Sequence, residues 1–268
     1  MSNQQASRTS NPAYVSDQYH DAANLNARIR LHARFSTNKY DWHRWVFDQL
    51  DLPARCRILE LGCGPGDLWL QNLERIPVGW EIELSDLFPA MVQKAVRALG
   101  ERQHPFGFLW IDAQAIPFAT SQFDAVIANH MLYHAPDLAQ ALTEIQRVLR
   151  PGGCLYAATN GRAHMLELIE MVERFDPGLG YRRGFSEPAF LLESGPAHLS
   201  PFFSTVTCHR YGDGLVVTEV EALVDYVLSG LEGAEHRRDE LRAFVQGELQ
   251  RQGGSIRITK DSGILVAQ

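Results

Sequence analysis

Arg57-Ile58-Leu59-Glu60-Leu61-Gly62-Cys63-Gly64-Pro65-Gly66-Asp67 decides how this chain folds. Arg57 to Leu61 is a short apolar run of strand type, and Asp67 to Arg75 takes on helical character. Between them, glycines at alternate positions remove side chains where the backbone must press against a ligand. Strand, glycine loop and helix in that order open a parallel α/β sheet. The loop is not the dinucleotide fingerprint. GxGxxG needs glycine at position 67, where Asp67 sets a negative group badly placed for a pyrophosphate. A ligand without phosphate fits better.

Downstream the alternation continues. Glu81 to Ser85 reads as a second strand, and Phe88, Met91, Val92, Ala95 and Leu99 mark one helix face. Phe106 to Ile111 and Phe123 to Asn129 are buried strands, the second followed by a helix with Leu138, Leu142, Ile145 and Leu149 inward, ended by Pro151. A Pro151-Gly152-Gly153 turn leads into a strand over Cys154 to Thr159, then a helix striped by Met165, Leu168, Ile169, Val172 and Phe175. That helix stops at Asp176-Pro177-Gly178, which with Gly180 opens an irregular stretch to Pro201, read as a cap. Phe203 to Tyr211 is a further strand, Thr218 and Glu221 form a capping box for a helix carrying Val220, Leu223, Val224 and Val227, and Ser255 to Ala267 is an antiparallel end strand. Upstream, Trp42, Val46, Phe47 and Leu50 belong to the second of two helices between Tyr19 and Leu50, and Met1 to Ser10 is a polar tail.

The 268 residues suit one large α/β domain, and 45% apolar content supports a sizeable core. A net charge of −7 with scattered Lys and Arg offers no footprint for a phosphate backbone, so nucleic acid is not the expected partner. Cys56, Cys63, Cys154 and Cys208 make no CxxC pair, which fits a reduced, cytoplasmic protein without a zinc or redox motif. No window is apolar enough to cross a bilayer, and the N-terminus lacks a secretion signal, so no membrane partner is expected.

Glu60-Leu61-Gly62-Cys63-Gly64-Pro65-Gly66 after the first strand resembles the nucleoside-binding motif of class I S-adenosylmethionine-dependent methyltransferases. The likeness extends over about the whole catalytic core, and the overall pattern resembles the broad ubiquinone/menaquinone-biosynthesis-like, small-molecule branch. It implies a Rossmann-like, mostly parallel seven-stranded sheet with an antiparallel end strand, helices on both faces, an N-terminal helical lid and a small inserted cap. The implied division is a flexible tail over 1–16 and a single methyltransferase domain over 17–268. Within it, 17–52 is the lid, 53–161 the cofactor-binding half, and 162–268 the substrate-side half with the cap at about 176–201.

The resemblance assigns the methionine portion of the cofactor to Gly62, Cys63, Gly64 and Gly66, with Glu60 offering a carboxylate to its positive groups. Asp86, twenty positions after Gly66, accepts from the ribose hydroxyls. Asp86 to Met91 is similar to the family's DxSxxM with Phe88 in place of the serine, and Leu87 and Met91 flank the adenine. Asp112 and Ala113 bind the adenine edge, and Asn129 with the following His130 to His134 runs under the sulfonium. Leu149-Arg150-Pro151-Gly152-Gly153 resembles the family's LxPGG turn. Tyr19, Arg28 and His32 line the entrance, with Arg28 a partner for the cofactor carboxylate, and Tyr133 and Asn160 face the acceptor.

The implied reaction is displacement at the sulfonium methyl by an oxygen, nitrogen or carbon nucleophile of a small organic molecule, leaving S-adenosylhomocysteine. His130 and His134 are the candidate bases, the alternative being that they hold the loop in place, and neither a metal nor a covalent intermediate is needed. Trp42, Trp45, Tyr133, Tyr181 and Phe185 suggest an aromatic or apolar acceptor. Rival readings are a nicotinamide-dependent oxidoreductase, disfavoured by Asp67, a non-catalytic S-adenosylmethionine-binding protein, and an RNA or protein methyltransferase, disfavoured by charge. A monomer or homodimer is expected.

Overall fold

In a computed structural model, residues 30–102, 104, 106–179, 181, 190–231 and 233–268 are described. Seven strands, β1 (Arg55–Leu61), β2 (Gly79–Asp86), β3 (Phe106–Trp110), β4 (Phe123–Asn129), β5 (Leu149–Asn160), β6 (Val206–Val217) and β7 (Ile256–Ala267), form one sheet in the order β3-β2-β1-β4-β5-β7-β6. β3 to β5 pair in parallel across that order, and β7 runs antiparallel to β5. Thr205 and Gln268 exchange both backbone hydrogen bonds, at 2.8 and 2.9 Å, a reciprocal pairing found between antiparallel segments. The helices are α1 (Trp42–Asp48), α2 (Asp67–Leu70), α3 (Pro89–Leu99), α4 (Leu138–Val148), α5 (Leu166–Phe175), α6 (Gly195–Leu199), α7 (Val220–Leu228) and α8 (Arg238–Arg251). This is the Rossmann-like α/β sheet expected.

The residues divide into two compact units. One comprises Tyr40–Gly161, Ala189–Tyr211 and Ser262–Gln268. Its parallel strands are buried on both faces, and period-2 alternation assigns each residue to one of two cores. Leu59, Leu61, Val126, Ala128, Leu155 and Ala157 pack on one side. Ile58, Ile82, Leu84, Ala125, Ile127 and Tyr156 pack on the other, with Trp69 and Leu99. Because Glu60 follows Ile58, Asp86 follows Leu84 and Asn129 follows Ile127 by two, these three polar side chains are directed to the second face at the strands' carboxyl ends.

The other unit comprises the described residues of Met1–Lys39, Arg162–Pro188 and Gly212–Asp261. Its core joins Leu31, Leu168, Val172, Val224, Val227 and Leu241 among others. α8 is not foreseen from the sequence. Its buried apolar residues are only Leu241, Val245 and Leu249, in an otherwise charged segment.

Several boundaries differ from expectation. Pro151-Gly152-Gly153 does not precede β5 but lies inside it: Phe123 pairs with Leu149 and Ala125 with Cys154, so residues 150–153 bulge out of the ladder. α4 accordingly ends at Val148, before the proline acts. The capping box of Thr218 and Glu221 does not form, since α7 starts at Val220 with Glu219 as its N-cap and no side-chain cap bond. The helix expected over Asp67 to Arg75 is one short turn, α2, followed by a 3-10 turn at Leu73–Arg75.

Candidate active site

The sheet's strand order reverses between β1, which continues to β2 on one side, and β4 on the other. In open α/β sheets the carboxyl ends at such a switch point bind ligands. Here the two loops concerned are Gly62–Gly66 after β1 and His130–His134 after β4.

The glycine loop turns through left-handed backbone. Gly62 has φ +68°, and a Cβ there would stand 2.7 Å from Met131 Cβ, so this glycine lets the loops after β1 and β4 touch. A Cβ on Gly64, at φ +55°, would meet nothing within 4 Å. The alternate glycines therefore differ in purpose. Gly62 serves close packing within the protein, and Gly64 faces open space.

Asp86, 7% exposed, ties this loop to β2. Its Oδ2 accepts from Gly64 N at 3.0 Å and its Oδ1 from Phe88 N at 2.8 Å. Phe88 is the N-cap of α3 without a side-chain cap bond, and the Asp86 bond holds the backbone N–H of that cap residue just outside the helix. Burial pushes the Asp86 carboxyl above its ordinary range, while the Phe88 and Gly64 amides and the nearby His134 oppose the rise. Each oxygen keeps a lone pair for a further donor.

Glu60 is deeper, 2% exposed. Trp69 Nε1 donates to its Oε2 at 2.6 Å, and Asn129 Nδ2 to its Oε1 at 3.3 Å. Burial pushes Glu60 up to about 7; the Trp69 and Asn129 bonds oppose this, and the neighbouring Asp86 and Asp67 add to it. Asn129 Oδ1 is buried and, among the described residues, has no hydrogen-bond partner. A buried acceptor in that state calls for a donor.

The loop after β4 carries both histidines. His130 is held at φ +52°, its N–H donating to Ala158 O at 2.9 Å. Its ring lies 5.3 Å from Trp42 and 6.3 Å from Tyr133. Trp42 stacks on Trp45 at 5.3 Å and meets Tyr211 edge-on at 5.2 Å, so α1 and β6 extend an aromatic wall from His130. Tyr211 donates its hydroxyl to Tyr40 O. His134 ends a 3-10 turn at Leu132–His134, with its ring 4.4 Å from Tyr133.

Cys63 is buried, its N–H donating to Ser85 O at 2.8 Å, and burial raises its thiol. Leu87 is 40% exposed and accepts from Trp110 Nε1 at 2.6 Å. Met91 and Ala113 are buried, and exposed Asp112 is engaged by the N–H of Gln114 at 2.9 Å. Asn160 accepts from Ser262 Oγ at 2.7 Å. Tyr19, Arg28 and Phe185 lie outside the described residues. His32 and Tyr181 belong to the other unit: His32 meets Tyr226 edge-on at 5.8 Å, and Tyr181 is buried in that unit's core. Trp69 and Tyr211 were not picked out from sequence. Trp69 lies nine residues beyond Glu60 across the loop, and no motif marks it.

Among the described residues no group of three His, Cys, Asp or Glu side chains is arranged to hold a metal ion. No helix of the described residues is long and apolar enough to cross a membrane.

Residues 59–157 match the family described as a methyltransferase domain. A demethylmenaquinone methyltransferase of Thermus thermophilus is 40% identical over 114 residues, 42% of this chain and 51% of its own length. A malonyl-[acyl-carrier protein] O-methyltransferase of Enterobacter lignolyticus is 36% identical over 130 residues, 47% of this chain and 48% of its own. The chain thus spans about half the length of the curated relatives it matches. Among solved structures, phosphoethanolamine N-methyltransferase 2 of Haemonchus contortus, in complex with phosphomonomethylethanolamine and S-adenosylhomocysteine, shares the fold. Its TM-score is 0.53 at 18% identity, covering 85% of this chain and 52% of that one.

Proposed function

We propose, from the match of residues 59–157 to a methyltransferase domain family and from the site above, that the chain transfers a methyl group from S-adenosylmethionine to an oxygen, nitrogen or carbon nucleophile of a small organic molecule by direct displacement. The observation that carries this reading is the set of polar groups at the switch point: buried Glu60 and Asp86 and half-buried Asn129 on one sheet face, with Gly64 hydrogen-bonded to Asp86. They fit a ligand with a cationic amino-acid end and a ribose. Bound S-adenosylmethionine supplies an electrophilic methyl on a sulfonium.

The remaining lone pairs of Asp86 hold the ribose hydroxyls, and Leu87, Met91, Asp112 and Ala113 hold the adenine. Glu60, Gly62, Cys63, Gly64, Gly66 and Asn129 receive the methionine portion, with Arg28 its carboxylate partner. His130, against the Trp42 wall, removes the acceptor's proton. His134, its ring against Tyr133 on the same loop, is the alternative base. Tyr133, Asn160, Tyr19 and His32 are the acceptor-side residues of this proposal. Quinones and acyl-carrier-protein-linked carboxylates, the chemistries named for the relatives, head the acceptor screen.

The same proposal includes the division into tail, lid, two halves and cap, which rests on sequence alone. It also includes a monomer or homodimer without nucleic-acid partner and a cytoplasmic setting, supported by the net charge of −7 and four free thiols.

The deciding experiment is calorimetric titration of S-adenosylmethionine, S-adenosylhomocysteine and NAD, repeated with Asp86→Ala. Binding of the two adenosyl ligands at about −8 kcal/mol, weakened by Asp86→Ala, is expected. Binding of NAD alone, or of neither adenosyl ligand, would overturn the reading.

A further inference from the structure

Glu60 is a carboxylate sealed from water whose partners among the described residues, Trp69 Nε1 and Asn129 Nδ2, are both neutral donors. Among the described residues, the titratable groups named as acting on it bring no positive charge: Asp86 from β2, Asp67 from α2 and the Cys63 thiol from the glycine loop. A buried charge with neither water nor a counter-ion is costly, and protonation is the ordinary escape. Beside it, Asn129 Oδ1 has no donor among the described residues. One group answers both deficits, an ammonium, which brings a positive charge and N–H donors together.

Trp69 opposes the escape. Its indole N–H can donate and cannot accept, so it favours the ionised form of whatever oxygen it meets. The ring is fully buried, edge-on to Phe47 and Trp80 at 6.4 Å each, and so its N–H is fixed in direction.

We propose that Trp69 is the positioning residue for Glu60, holding its carboxylate as the counter-charge for the ammonium of the amino-acid end of the ligand, and that uptake of this ligand releases the Glu60 proton to solvent. The inference rests on the cofactor reading above. The O–H bond of the Glu60 carboxylic acid breaks, its proton goes to buffer, and the ligand's ammonium keeps its own. The burial that raises Glu60 to about 7 puts this exchange in an accessible pH range.

The test is calorimetry with S-adenosylhomocysteine between about pH 5.5 and pH 8, in buffers of differing ionisation enthalpy. Wild type should release up to one proton, with affinity rising up to about tenfold per pH unit below about pH 7 and levelling off above. 5′-Methylthioadenosine, which has the nucleoside and no ammonium, should bind with a flat profile. Trp69→Phe keeps the ring and loses the N–H. It should move the midpoint upward and weaken S-adenosylhomocysteine about tenfold to a hundredfold near pH 7, the range for one hydrogen bond to a charged group. Glu60→Gln should bind more weakly and without pH dependence.

A flat wild-type profile, the same profile for 5′-methylthioadenosine, or an unchanged profile in Trp69→Phe would each overturn the proposal. If Trp69→Phe does not fold, the wild-type proton count and the Glu60→Gln profile decide. Absence of S-adenosylhomocysteine binding to wild type at every pH would instead overturn the cofactor reading itself.

Discussion

Glu60 in one unit and Asp213 in the other are both buried carboxylates, and they are served in opposite ways. Asp213 has a fully buried side chain bonded to Lys260 Nζ at 2.5 Å, Ser36 Oγ, Asn38 N at 2.9 Å and Gly214 N at 2.8 Å. Burial raises it, but the Lys260 and Ser36 bonds outweigh burial and hold it down to about 2. Glu60 has two neutral donors, and burial wins, up to about 7. An acid whose cation is part of the chain is finished as structure. One with no cation among the described residues is, on the proposal above, completed by what it binds.

The largest effect should come from breaking the finished pair. Lys260→Met leaves Asp213 buried without its counter-charge and should cost about 3–5 kcal/mol at neutral pH, read by urea denaturation. The sign follows from the depressed Asp213: its stabilising contribution is present above the ordinary value of 3.8 and fades as pH falls toward about 2. The deficit of Lys260→Met should therefore shrink in acid. A loss below about 1 kcal/mol, the worth of an exposed pair, would break the comparison.

Next comes Glu60→Gln, with the opposite sign. A folded-state value raised from 4.5 to about 7 means Glu60 is tolerated below the lower value and becomes a burden as pH rises through the upper one. The glutamine can still accept from Trp69 and can donate to Asn129 Oδ1. Ligand-free Glu60→Gln should match wild type near pH 4 and exceed it by about 3 kcal/mol near pH 8, measured by denaturation across pH. A less stable variant at pH 8 would mean that the carboxylate is already compensated.

These two acids were unequally legible. Glu60 stands in a glycine motif at the end of an apolar run, and the run, its period and its turn all lie within eleven consecutive residues. β4 was readable end to end, because a strand buried on both faces leaves an unbroken apolar signal. What serves Glu60 was not readable, since Trp69 and Asn129 reach it from separate elements. Asp213 and Lys260 lie 47 residues apart on two strands, and neither position carries a motif. α8, with its narrow stripe, and the bulge at Pro151-Gly152-Gly153, which reads as a plain turn, are local features whose meaning comes only from what they pair with.

The smallest effect sharpens the contrast at the backbone. Each unit holds a non-glycine residue in left-handed backbone: His130 at φ +52° and Met165 at φ +58°. Met165 is fully buried in its core and caps α5, its N–H donating to Thr259 O at 2.8 Å, so its side chain repays the strain by packing. His130 is half-buried, and its ring lies along the aromatic wall of the candidate site. Relief of left-handed strain is worth about 1–2 kcal/mol. His130→Gly should therefore be more stable than His130→Ala by about 1 kcal/mol in thermal denaturation, both having lost the ring. Met165→Gly should be less stable than wild type despite the same relief, because it empties a packed site. If His130→Gly gains nothing over the alanine, the turn after β4 is not strained, and the geometry of His130 reflects the loop rather than a demand of the site.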